Sequence, residues 1–559
     1  MTGNLLRATY TLRCAHRTWL IAFALPLFLF PSPARSAWNA TKGLAVCTAV
    51  NDQTNPMLVT DANGGAIATW FDYRNGQSEI FAQRISANGD LLWTPVGVRI
   101  APSTFDWTMV ADESGGAFIV WPGNSGYDLY AQHVSPTGQL LWGAGVNDGV
   151  VVCSAPGWQR YPTAIFDPSG DVVIAWHDQR TSDYAIYAQR LSPAGVAKWA
   201  TDGVVVSATV NREQYPSIAT DGAGGWIVAY DRTYKVYAQR LNGNGTTLWA
   251  AGGSAIATGT TYSDSPPRLS PDGAGGAIIL WDDKRNGFWN IYAQHVNSTG
   301  AVQWQTDGIK VNCCPFYGDP DCALRPQLTD DGAGGVIAAW TDCTDNLYAQ
   351  RIPFAGGLAW PGAPINVGTA IWVSIASDGE GGAFVAWDET RSGNSDPYAQ
   401  QLDSQGTQLW ATGGILLTTA GGTQYAPVVV RSGDGGIVAW SDHRNGNYDI
   451  YGQHIGPLPT SVGGSRVPGP FVVDLHPNPF SSQTEISVHL SHEATVEITI
   501  FDAAGRRVRV FDALHRPAGT SRLSFDGMDS SAQRLASGVY FCRVNAGGES
   551  VTRKLVIAR

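Results

Sequence analysis

Four aspartate–arginine pairs at D-x-R spacing recur along the chain: Asp72/Arg74, Asp178/Arg180, Asp283/Arg285 and Asp442/Arg444. A carboxylate and a guanidinium so placed can grip a charged ligand, but repetition between strand-like segments favours a hairpin ion pair or turn cap. Asp61, Asp221, Asp272, Asp331 and Asp378 are among the aspartates that open D-x-x-G-G turns. Calcium takes six to eight oxygen ligands, and one carboxylate per turn is a poor cage, so turn formation is their expected role. Cys313, Cys314, Cys322 and Cys343 fall within one repeat, where an oxidising compartment would form at least one disulfide. Cys47 and Cys153 occupy one repeat position ("LAVCTA", "VVVCSA") and are expected to be small buried residues. His133, His295 and His454 recur at one strand position, the mark of packing or a solvent face and not of a ligand cluster.

Several chemistries lack their residues. No Lys precedes Ser or Thr, so no Walker-type phosphate loop exists, and HExxH, GxSxG and zinc-type CxxC are absent. No catalytic, cofactor-binding or metal-ligating residue is assigned, and no cofactor is expected.

What positions all these residues is a repeat. A [YF]-[AG]-Q element begins at Phe81, Tyr130, Tyr187, Tyr237, Tyr292, Tyr348, Tyr398 and Tyr451. An aromatic closes an apolar run upstream of each: Trp70, Trp121, Trp176, Tyr230, Trp281, Trp340, Trp387 and Trp440. In the fifth unit the strand-like segments are 252–257, 267–272, 276–282 and 290–296. The third is continuously apolar, as a strand buried on both faces must be, and the fourth alternates. Four antiparallel strands in tandem repeat predict an all-β fold, an eight-bladed β-propeller over residues 37–456. The last unit lacks its closing segment, and "WNATKGLAVCTA" (38–49) supplies it, so the N-terminal strand is expected to complete the last blade. Eight Trp-led starts (Trp38, Trp93, Trp142, Trp199, Trp249, Trp304, Trp360, Trp410) are expected to pack between neighbouring blades.

Composition agrees: 15% charged residues, 65 Gly and 21 Trp suit short strands and tight turns. Arg7, Arg13 and Arg17 precede the apolar "WLIAFALPLFLF" and small residues before a cut after Ser36, which reads as a signal peptide over 1–36. Those 36 residues hold four Arg and no acid, so their removal takes the net charge from −11 to −15. That acidity argues against nucleic acid or anionic membrane as partner. No later stretch is apolar enough to span a bilayer.

A Pro/Gly/Ser linker (457–470) leads to residues 471–559, about seven alternating strands with Gly-marked turns, the pattern of a small β-sandwich. "HPNPF" (476–480), "VEITIFDAAGRRVR" (496–509), "LASGVYFCRV" (535–544) and "TRKLVIAR" (552–559) closely resemble the FlgD-type Ig-like domain and, equally, the C-terminal sorting domains of type IX secretion substrates. One departure is Ala532, where relatives usually carry Gly. The resemblance implies delivery across an outer membrane through secretion machinery, ending in release or surface anchoring. The repeats resemble those of secreted bacterial proteins with this tail and, distantly, quinoprotein and TolB-like propellers. "SPDGAGGAIILW" (270–281) only approaches the sialidase Asp-box, its Trp lying too far along.

The expected function is non-catalytic binding or scaffolding at the cell surface or outside the cell, toward an extracellular glycan or protein. The alternative is a secreted propeller enzyme, a glycoside hydrolase or sialidase first and a quinoprotein second. Units that depart from the repeat mark where function would sit: "NCCPFYGDPDCALRP" (312–326), "WPGNSGYDLY" (121–130), "GWQRYP" (157–162) and "FDWT" (105–108).

Overall fold

The computed structural model describes residues 38, 41–102, 106–123, 127–143, 149–181, 183–209, 211–259, 266–285, 287, 289–311, 326–342, 344–360, 365–456, 471–476, 480, 483–490, 493–502, 506–516, 519–530, 533–546 and 549–557. Residues 1–36, expected to be a signal peptide, residues 457–470, expected to be a linker, and Cys313, Cys314, Cys322 and Cys343 lie outside them.

The protein is all-β. Among the described residues, eight four-stranded antiparallel sheets follow one another along residues 44–455. The first comprises Gln53–Thr60, Ala66–Asp72, Glu79–Ile85 and Val98–Pro102. Each sheet takes its fourth strand from the segment that opens the next sequence repeat, so sheets and repeats are offset by one strand. In the fifth sequence repeat, Ser254–Ala255 accordingly pairs back with Val236–Leu241 of the preceding sheet. The eighth sheet has no following repeat. Its fourth strand is Leu44–Cys47, paired with Asp449–Ile455 through Leu44↔Gly452, Ala45↔Tyr451 and Cys47↔Ile450.

The cores lie between sheets. One cluster joins Phe118 and Val120 to Val172, Ile174 and Trp176 of the next sheet. Another joins Val46, Cys47 and Ile450 to Ala68, Trp70 and Phe81, linking the eighth sheet to the first in the same manner. The first strand of each sheet lies beside the first strand of the next, and Gln424–Ser432 lies beside Gln53–Thr60. Backbone bonds cross here as well, Gln53 N–H donating to the Tyr448 carbonyl at 2.6 Å.

The repeated letters act as pins. In the [YF]-[AG]-Q strand the Gln is buried and faces the next Trp-led turn. Gln132 Nε2 donates to the Trp142 carbonyl at 2.8 Å, and its Oε1 accepts the Trp142 N–H at 2.9 Å. Gln83, Gln189, Gln239 and Gln294 repeat the bond to Trp93, Trp199, Trp249 and Trp304. The indole then reaches the neighbouring unit: Trp93 Nε1 donates to the Pro136 carbonyl, Trp142 to Pro193, Trp249 to Ser298 and Trp360 to Ser404, at 2.9 to 3.1 Å. Trp38, at the chain's leading end, does the same to Ala87 at 2.9 Å.

The C-terminal residues form a three-stranded sheet (Phe471–His476, Thr484–Leu490, Gly519–Phe525) and a four-stranded sheet (Arg507–Arg516, Ala494–Asp502, Gly538–Ala546, Glu549–Ile557). Ile486, Val488, Ile498, Ile500, Phe525, Val544 and Leu555 fill the space between them. Among the described residues no helix is long and apolar enough to cross a membrane.

Candidate functional site

The first strands of four units open on one pattern: Gln53-Thr54-Asn55-Pro56, Gln159-Arg160-Tyr161-Pro162, Glu213-Gln214-Tyr215-Pro216 and Gln424-Tyr425-Ala426-Pro427. Pro has no N–H to give the ladder, so a bulge is where a strand tolerates it. The register slips there in all four. The residue before each Pro takes φ of 55°, 50°, 53° and 54°. Left-handed backbone at a non-glycine residue costs on the order of 1 kcal/mol or more, and such strain concentrates at functional sites. The bulges turn Asn55, Tyr161, Tyr215 and Ala426 toward a common cavity.

That cavity measures about 830 Å³ and is lined by the first strands of all eight units. Equivalent positions around it carry unlike side chains. Asn55, Asp106, Tyr161, Tyr215, Pro266, Trp372 and Ala426 share one position, and Met57, Thr108, Thr163, Ser217, Arg268, Gln327, Ser374 and Val428 the next. The sheets repeat far more closely than this lining does.

The units from the second to the fifth hold most of its polar chemistry. Arg160 lies 3.6 Å from Asp106, whose carboxyl burial pushes above its ordinary range. The Arg160 guanidinium sits 5.0 Å over the Tyr161 ring. Tyr161 meets Tyr215 and His177 edge-on, each at 4.9 Å. His177 is 2% exposed, and neither ring nitrogen has a hydrogen-bond partner among the described residues. Burial, reinforced by Arg160, drops its pKa to about 3, so the imidazole is neutral. Trp107 is buried, its indole N–H on Thr69 Oγ1 at 3.0 Å and its ring edge-on to Phe71 at 4.2 Å. Trp372, across the cavity, is 45% exposed. Its backbone N–H donates to Asp388 Oδ1 at 2.8 Å, while Ser395 Oγ donates to Oδ2 at 2.9 Å. Asp388 is buried behind it, and burial raises its pKa to about 6.

Arg268 stands apart. Its backbone pairs with Leu280 in the ladder, but its guanidinium has no hydrogen bond or salt bridge among the described residues; Asp282 acts on it electrostatically. Burial pulls its pKa down, yet a guanidinium keeps its charge.

The residues singled out in the sequence go elsewhere. Asp72, Asp178, Asp283 and Asp442 are fully buried and form a structural node. Trp176 Nε1 donates to Asp178 Oδ2 at 2.9 Å, Asp178 Oδ1 caps the Arg180 N–H at 2.8 Å, and Arg180 pairs with Asp178 at 2.6 Å while covering the Tyr187 ring at 3.7 Å. Glu389 and Arg391 make a fifth such node, legible as W-x-E-x-R had the pattern been widened to glutamate. Cys47 and Cys153 face these arginines at 3.2 and 3.3 Å, and burial raises their thiols to about 11 and about 12. The turn aspartates are occupied: Asp61 accepts the Asn63 and Gly65 N–H groups and pairs with Arg84 at 3.0 Å, and Asp272 meets His295 at 2.8 Å. Among the described residues no cluster of His, Cys, Asp or Glu is arranged to hold a metal. Of the departing loops, "GWQRYP" and "FDWT" contribute Arg160, Tyr161, Asp106 and Trp107 here. The bulge series itself was missed; [QE]-x-x-P recurring at the head of the first strand would have found it.

Residues 477–550 match the family described as the FlgD Ig-like domain, and the C-terminal unit is such a domain. No curated protein matches the chain. Among solved structures it is similar to a protein of unknown function from Dyadobacter fermentans, at 12% identity and TM-score 0.32, covering 53% of this chain and 94% of that one. It is similar to an ulvan lyase of a new polysaccharide lyase family (13% identity, TM-score 0.41, 64% of this chain and 96% of that one). A Hadza microbial sialidase is similar at 12% identity and TM-score 0.32, over 76% of this chain and 99% of that one. Likeness of this degree assigns no activity.

Proposed function

We propose that residues 37–456 are an eight-bladed β-propeller, exported behind the 1–36 leader, that binds an extracellular ligand at its axial mouth without transforming it. The adjacency of successive first strands, from the eighth back to the first, supports the propeller reading. The observation that carries the binding reading is the cavity whose eight equivalent positions, from Met57 to Val428, carry six different residue types, where a purely structural mouth would repeat one. A glycosidase would need two carboxylates about 5–10 Å apart, and the described lining offers Asp106, already engaged by Arg160.

The mature protein, screened on glycan and extracellular-protein arrays, is expected to retain a ligand that Trp372→Ala and Tyr161→Ala each weaken roughly tenfold, about 1.4 kcal/mol. Undiminished binding in both variants rejects the mouth as the site, and depolymerised ligand moves the protein to the enzyme alternative.

Delivery is the second part of the proposal: the FlgD Ig-like unit addresses or anchors the propeller at the cell surface, as type IX sorting tails do. A chain ending at residue 456 is expected to lose surface delivery, measured by protease shaving of whole cells. Unchanged delivery removes the sorting role.

A further inference from the structure

We propose that the mouth selects an anionic sugar chain, with Arg268 receiving its carboxylate or sulfate and the aromatic rings receiving its pyranose faces. The inference rests on the binding reading above and names the ligand class.

Charge is the first argument. Two charged side chains are among the described cavity lining, Asp106 and Arg268. Asp106 is answered by Arg160 at 3.6 Å. Arg268 has no hydrogen-bonded or ion-paired acceptor among the described residues, although burial opposes its charge. A guanidinium is a fork of donors suited to two oxygens of one carboxylate or sulfate. In a fold where the other partly buried arginines of the blades grip an acid, such as Arg84, Arg180 and Arg240, the one left open at the cavity is the anomaly.

Shape is the second. Tyr161, Tyr215 and Trp372 present ring surface at the lining, interleaved with the short polar groups of Ser217 and Gln327. A sugar ring has apolar faces and a hydroxyl rim, so it wants alternation of this sort. An extended peptide would want a free strand edge for its backbone. The volume, about 830 Å³, lies within the ~300–1,000 Å³ of small-ligand sites.

Titration calorimetry of the mature protein tests this with oligogalacturonate, its methyl ester, a sulfated galactan oligosaccharide, a neutral galacto-oligosaccharide and oligoglutamate. The uronate or the sulfated chain is expected to bind at least tenfold tighter than the ester and the neutral chain; which of the two is preferred identifies the anion. Arg268→Gln should erase that margin and Arg268→Lys keep part of it, with thermal unfolding little moved because the Arg268 guanidinium bonds to no described residue. Equal affinity for ester and uronate, or a margin that survives Arg268→Gln, overturns the inference while a Trp372→Ala effect would leave the binding reading standing. Preference for oligoglutamate overturns it in favour of an acidic peptide. Failure of every probe to bind overturns it also.

Discussion

Removing residues 38–49 is expected to bring the protein close to unfolding, while moving them to follow Gly456, behind a copy of the Ser86–Asp90 turn, should restore wild-type stability. Val46 and Cys47 are 0% and 2% exposed, and each buries a side chain worth roughly 2 kcal/mol. The ladder to Asp449–Ile455 and the Trp38 indole bond add about 1 kcal/mol per hydrogen bond. Their loss also uncovers Ile450 and Trp70, which share a cluster with them. The total, roughly 6–8 kcal/mol, rivals the ~5–15 kcal/mol by which domains are stable. The transplanted copy would stand where Leu91 to Pro102 stand after Ile85 in the first sheet, so the geometry already exists in this molecule. Calorimetry of the three chains decides the matter: a truncated chain that melts with the wild type would mean the last sheet does not need its leading strand.

The second large effect is expected at Asp178. Asp178→Ala should destabilise by about 3–5 kcal/mol, because it leaves the Trp176 indole N–H and the Arg180 guanidinium without their acceptor in a buried site. Adding Arg180→Leu should return part of that loss, since the stranded charge goes with it and the leucine still covers the Tyr187 face. Denaturant unfolding of wild type, single and double variants reads this directly. If the double variant is no more stable than the single, the cost lies in the lost packing of the node and not in an uncompensated charge.

Why these two residues sets were readable from sequence and the mouth was not has a physical cause. The interface Trp, the W-x-D-x-R node and the Gln that pins the Trp-led turns each solve one packing problem in unit after unit, and a repeated problem leaves repeated letters. The offset between sheet and repeat was legible only at the two ends of the array, where a segment is missing and another is spare. The cavity residues obey the opposite rule. Tyr161 and Trp372 share one repeat position and Arg268 holds the next; neither position serves a contact common to the units, so both vary, and such variation hides inside a noisy alignment of units. Only the proline bulge that turns Asn55, Tyr161, Tyr215 and Ala426 inward recurs, and it is spelled by two letters three positions apart. The glutamine of the [YF]-[AG]-Q element shows the intermediate case: it was visible as a motif, but its two bonds to a turn about ten residues on needed coordinates.

The pairing of the first-made strand with the last has a temporal consequence. Lys42 and Arg444 are joined by a hydrogen bond across 402 residues of chain. A ribosome, or an export pore, delivers the amino end long before its partner exists. Intermediate sheets can mature one after another from local hairpins, but the final docking must wait for the whole array. Until then the molecule stays threadable, which is the property that the export proposed above requires.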